Sequence, residues 1–134
     1  MEPNTKAGKK IRVLLVEDEF LIAEWVAECL SEQGFVVRTA SNARDALRQL
    51  AAAPADVLFT DIDLLDGMDG VALSRCAREL LPDLPVIYAS ARVATLAPGA
   101  SVPGAVFLRK PYEPEAVARL IAHAVQTAKT PAFA

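Results

Sequence analysis

The chain has 134 residues, 53% of them hydrophobic, and a formal net charge of -3, with its 14 basic residues scattered instead of gathered in a stripe. That is the length of one domain with enough apolar surface for a core, and it argues against nucleic-acid binding driven by electrostatics. No apolar run approaches the ~20 residues that span a bilayer, and the polar stretch from Met1 to Lys10 lacks the apolar segment of a secretory signal.

Residues 1–10 read as a flexible, mildly basic arm, 11–128 as the globular unit and 129–134 as a flexible tail. Ile11 to Val16 is apolar apart from Arg12, as in a strand buried on both faces. Leu21, Ile22, Trp25, Val26, Cys29 and Leu30 then recur at helical spacing, and Gly34 lies where that helix should stop. Trp25 reads as a core or partner contact. Phe35 to Thr39 is a second strand, and Asn42 caps a second helix that ends before Pro54. Val57 to Thr60 is a third strand, and Leu73, Cys76, Ala77, Leu80 and Leu81 trace a third helix closed by Pro82. Val86 to Ala89 and Ala105 to Leu108 are the fourth and fifth strands, and Glu113-Pro114 opens the last helix. Cys29 and Cys76 both fall in helical apolar patterns, as buried, reduced thiols of a cytoplasmic protein do.

Strands alternating with helices predict an α/β, flavodoxin-like, three-layer fold with a five-stranded parallel sheet of order 2-1-3-4-5. In such a sheet the ligand site lies at the carboxyl ends of the strands, beside strands one and three. Glu17, Asp18 and Glu19 follow the first strand, and Asp61, Ile62 and Asp63 follow the third. One acidic residue at a strand end reads as a solvated loop group or a helix cap. Glu17, Asp18 and Asp61 converge from two strands, and crowded carboxylates repel unless a cation compensates them. Mg2+ suits such a site, because it takes one or two carboxylates and keeps room for a phosphoryl oxygen. Glu19 reads instead as a first-turn helix residue favoured by the dipole. Ser90 after the fourth strand and Lys110 after the fifth complete the set: an ammonium to pair with Asp61, and a hydroxyl to donate beside it.

Val13–Glu19 (VLLVEDE), Asp56–Asp63 (DVLFTDID), Met68-Asp69-Gly70, Pro85–Ala91 (PVIYASA) and Lys110-Pro111 together resemble the response regulator receiver domain, over about Arg12 to Gln126. The resemblance implies that Asp61 is the phosphoacceptor, taking its phosphoryl group from a histidine kinase or histidine phosphotransfer protein. It implies that Glu17, Asp18 and Asp61 bind Mg2+ together with the backbone carbonyl of Asp63. Ser90 matches the switch hydroxyl, Phe107 the switch aromatic and Lys110 the family's lysine, with a cis bond to Pro111. The chain would then be a single-domain regulator whose output is contact with a target protein.

Two departures stand out. Leu65 occupies the place of a family proline, in a longer run from Leu64 to Gly70. The segment from Ser90 to Lys110 is short, and Pro98, Gly99, Pro103 and Gly104 predict a shortened or irregular helix between the fourth and fifth strands. Two other functions fit the pattern less well. One is a receiver-like interaction module that is not phosphorylated. The other is an aspartyl-phosphate phosphatase of the haloacid dehalogenase type, suggested by Asp61-Ile62-Asp63.

Overall fold

The computed structural model describes residues 5–6, 8–65, 67–91 and 101–129. A short antiparallel ladder, β1 (Thr5–Lys6) with β2 (Lys9–Lys10), lies within the stretch read as an arm. The main elements follow as β3 (Arg12–Val16), α1 (Phe20–Glu32), β4 (Val36–Ala40), α2 (Ala43–Ala52), β5 (Val57–Asp61), α3 (Gly70–Leu80), β6 (Val86–Ser90), β7 (Val106–Arg109) and α4 (Pro114–Lys129).

The five-stranded sheet has the order β4-β3-β5-β6-β7, all pairs parallel. With the N-terminal ladder set aside, this is the expected 2-1-3-4-5. Alternate residues of each central strand enter different cores. Leu14, Val16, Leu58, Val86 and Tyr88 pack with α2 and α3, whereas Val13, Leu15, Val57, Phe59, Ile87 and Ala89 pack with α1 and α4. Burial on both faces explains why these strands read as continuous apolar runs instead of alternating ones. Edge strand β7 does alternate: Val106 and Leu108 are half-buried, and Phe107 and Arg109 are exposed.

Helix ends follow local chemistry. Gly34 adopts a φ of 99°, and the Phe35 and Gly34 N–H groups donate to Leu30 O (3.2 Å) and Ser31 O (3.0 Å). That is the Schellman arrangement, with Phe35 and Leu30 buried in one core. Asn42 Oδ1 accepts the Asp45 N–H at 2.8 Å, as its capping role requires. Helix α2 ends against Arg38, whose guanidinium donates to the carbonyls of Gln49, Ala53 and Pro54.

Three expectations are corrected. The buried stripe of α1 is Ala23, Val26 and Leu30, so Trp25 (53% exposed) and Leu21 (78%) lie outside the core. Residues 21 and 25 match the helical period equally well, so the pattern alone could not settle which side faces the sheet. Glu19 is the N-cap of α1, with extended backbone, and not a first-turn residue. Cys29 and Cys76 are free but only half-buried. The irregular helix expected before the last strand falls mainly on residues 92–100, outside the described residues. After it, Val102 is buried ahead of a turn at Pro103-Gly104.

Candidate functional site

The carboxyl ends of β3, β5, β6 and β7 bring the acidic set, Ser90 and Lys110 to one place. Parallel pairing of β3 with β5 sets Val16 beside Thr60, so Glu17 and Asp61 leave adjacent strand ends. Glu17 and Asp61 are 3% and 8% exposed. Lys110 Nζ lies 3.1 Å from Glu17 Oε1 and 3.1 Å from Asp61 Oδ2, bridging both carboxylates. Sequence reasoning paired Lys110 with Asp61 and missed Glu17. The Lys110-Pro111 bond is cis.

Three further carboxylate oxygens of the set take backbone donors. Glu17 Oε2 accepts the Glu19 N–H (3.2 Å), and Asp61 Oδ1 accepts the Asp63 N–H (3.1 Å). Asp18 Oδ2 accepts the Leu65 N–H at 3.0 Å. A proline at position 65 would have no such donor. Leu65 therefore ties the longer loop to Asp18, while its own side chain is 88% exposed.

Burial pushes the Glu17 carboxyl above the usual carboxylate range, and the hydrogen bonds from Lys110 and Glu19 only partly oppose it. Burial alone would pull the Lys110 ammonium down, but Glu17 and Asp61 outweigh it and hold it above its usual value. Burial also pushes Tyr112, edge-on to Phe59 at 5.6 Å between ring centroids, up to about 12.

Glu17, Asp18 and Asp61 each offer an oxygen within 4.8 Å of the others. Among the described residues, Lys110 sets one positive charge against these three carboxylates. An all-oxygen donor set with excess negative charge fits a hard divalent cation, and so few protein ligands suit Mg2+, which keeps several waters.

Ser90 ends β6 and is 4% exposed. Its hydroxyl donates to Asp63 Oδ2 at 3.1 Å. The sequence reading gave Asp63 only a backbone role. The register held the signal, because Asp61 pairs with Ala89, which sets Ser90 level with the residues that follow Asp61. Phe107 is 44% exposed, its ring 5.1 Å from that of Tyr88.

Three further residues shape the site and were missed as such. A Cβ on Gly70 would lie 2.2 Å from the Asp61 carbonyl oxygen, so only glycine lets the first turn of α3 sit against the strand end. Asp69 caps that helix through the Ala72 N–H (2.9 Å). Tyr88, fully buried, reaches Ser74 Oγ at 2.5 Å and the Val102 N–H at 3.3 Å. Since Ser74 Oγ donates to Val71 O (2.7 Å), the Tyr88 hydroxyl donates to Ser74 and accepts from Val102. This chain of bonds fastens the segment before β7 to α3.

Comparison with known proteins agrees with this geometry. The profile of the response regulator receiver domain matches residues 13–122. The response regulator receiver protein CpdR of Brucella abortus is 33% identical over 103 residues, covering 75% of this chain and 85% of that protein. The DNA-binding transcriptional regulator NtrC of Proteus hauseri is 34% identical over 120 residues, covering 87% of this chain but only 25% of that larger protein. A crystal structure of a response regulator receiver protein from Sinorhizobium medicae superposes with a TM-score of 0.82 at 27% identity, covering 89% of this chain and 97% of that one. With sheet order, acidic edge and sequence profile in agreement over most of its length, the chain belongs to the response regulator receiver domain family, the signalling domain of two-component systems.

Proposed function

We propose that this chain accepts a phosphoryl group on Asp61 from a histidine kinase or histidine phosphotransfer protein, with Mg2+ as cofactor, and signals by contact with a target protein in the cytoplasm. One observation carries the reading. Asp61 is a buried carboxylate held by Lys110 on one oxygen and by the Asp63 N–H on the other, at the centre of an acidic set.

In-line phosphoryl transfer asks the protein mainly for positioning and charge neutralisation. A carboxylate oxygen of Asp61 bonds to phosphorus as the P–N bond of the donor phosphohistidine breaks. The electron pair leaves with the imidazole nitrogen, which is then protonated. Lys110, already at hydrogen-bond distance from Asp61, neutralises charge on the transferred group. Bound by Glu17, Asp18, Asp61 and the Asp63 carbonyl, Mg2+ would supply further positive charge against the phosphoryl oxygens. Ser90 then donates to a phosphoryl oxygen, and Phe107 turns inward. Both movements are a population shift between two packings. Outward-facing Phe107, on the edge strand, fits a switch that alters a contact surface.

The test is covalent labelling. Acetyl phosphate with Mg2+ should add one phosphoryl group to the intact chain, and Asp61→Asn should add none. Persistent stoichiometric labelling of the Asn variant would refute the assignment. Phosphotransfer profiling against histidine kinases then identifies the donor.

A further inference from the structure

The Ser90 hydroxyl has one proton and, in the proposed reaction, two carboxyl-edge acceptors competing for it. In the structure the proton goes to Asp63 Oδ2. After phosphorylation it is needed by a phosphoryl oxygen on Asp61. The two bonds exclude each other, so the first must break before the second forms.

We propose that the Asp63 side chain is a resting-state latch on Ser90, holding the hydroxyl in place until the phosphoryl group becomes the stronger acceptor. This rests on the reading of Asp61 as phosphoacceptor. Three features support it. A carboxylate acceptor makes a charge-assisted bond, stronger than one between neutral partners. The bond forms at Ser90, which is buried, so water competes poorly for the hydroxyl. The Asp63 N–H holds Asp61 Oδ1 at 3.1 Å, so the residue that grips the switch hydroxyl also grips the phosphoacceptor. A phosphoryl group brings about two negative charges to that neighbourhood. It repels the Asp63 carboxylate while attracting the Ser90 proton, and both forces open the latch. Asp63 thereby sets the threshold of the switch, because every increment of latch strength must be matched by the phosphoryl group.

The experiment has two arms. In the first, unphosphorylated wild type, Asp63→Ala, Ser90→Ala and the double variant are compared by urea unfolding. The latch requires a favourable coupling between the two positions, and additive effects would overturn it. In the second, beryllium fluoride, a phosphoryl mimic, is titrated at saturating Mg2+. Removing the latch should tighten its binding by on the order of tenfold in Asp63→Ala, the scale of one lost charge-assisted bond, and Ser90→Ala should erase that gain. Asp63→Asn, which keeps an acceptor without the charge, should fall between wild type and Ala. Unchanged or weaker binding in Asp63→Ala, or a gain that survives Ser90→Ala, would overturn the latch. If wild type is not labelled at Asp61 by acetyl phosphate, the phosphoacceptor reading fails instead. The first arm still reports on the Asp63–Ser90 bond in that case.

Discussion

The two ends of the β3–β5 pair handle charge in opposite ways. At the amino end Asp56, 7% exposed, accepts the Arg12 N–H at 2.8 Å and the Arg12 guanidinium on both oxygens at 3.3 Å. There a carboxylate is matched by a guanidinium that meets both of its oxygens. At the carboxyl end one lysine bridges two of three clustered carboxylates, and burial leaves Glu17 hard to ionise. Both clusters join the same two strands. The first is a matched ion pair, whereas the second gathers three carboxylates whose oxygens lie within 4.8 Å of one another, a set that suits a further cation. On the proposed function, this charge mismatch is what separates the reactive end of the sheet from the structural one.

Gly70 is where fold and site cannot be separated, so changing it should have the largest effect. Gly70→Ala drives a methyl group into the Asp61 carbonyl, and backbone atoms cannot move aside cheaply. We expect a loss of about 3 kcal/mol in urea unfolding, together with slower acetyl phosphate labelling. A loss below a few tenths would mean that α3 is not fixed against the strand end.

Asp56→Ala should come next. It strips the Arg12 N–H of its acceptor and leaves a guanidinium unbalanced, costing about 2 kcal/mol. Labelling of the folded fraction should be unchanged. If labelling fell as well, the two ends would not be independent.

Asp18→Ala should do the reverse. Its removal relieves repulsion and frees only the Leu65 N–H, on an exposed loop, so stability should stay within about 0.5 kcal/mol. Mg2+ affinity by calorimetry should drop on the order of tenfold, as one of the few protein ligands is lost. Equal affinity in both proteins would remove Asp18 from the metal site.

The smallest effect is a pH dependence. A carboxyl whose folded-state value is raised supports stability below its unfolded value, near 4.3 for Glu. That support is lost as pH rises through the folded value. Metal-free wild type should therefore lose stability through this window above pH 4, and Glu17→Gln should flatten the decline. An identical decline in both proteins would place its source elsewhere.

Much of the molecule was legible from residues alone, for identifiable reasons. Double-sided burial writes itself as continuous apolar runs, and helix ends are local events, a stop at Gly34 and a start at Asn42. The strand order follows from handedness and crossover rules that do not depend on side-chain detail. Position along the chain was therefore enough to gather Glu17, Asp18, Asp61, Ser90 and Lys110 at one edge. Other features depended on three-dimensional neighbours. Helical period could not choose the buried side of α1, because Leu21 and Trp25 match it as well as Val26 does. Whether Lys110 bridges two carboxylates, or Leu65 holds Asp18, depends on loop paths that no periodicity encodes. The same holds for Gly70, whose need for a bare Cα appears only when the Asp61 carbonyl is in place, and for the Ser90 proton. The sequence put Ser90 beside Asp61, and the tertiary structure gave its hydrogen bond to Asp63. Elements and their order follow from burial patterns written along the chain. The partner of a polar group is decided by which acceptors the finished fold brings within 3.1 Å.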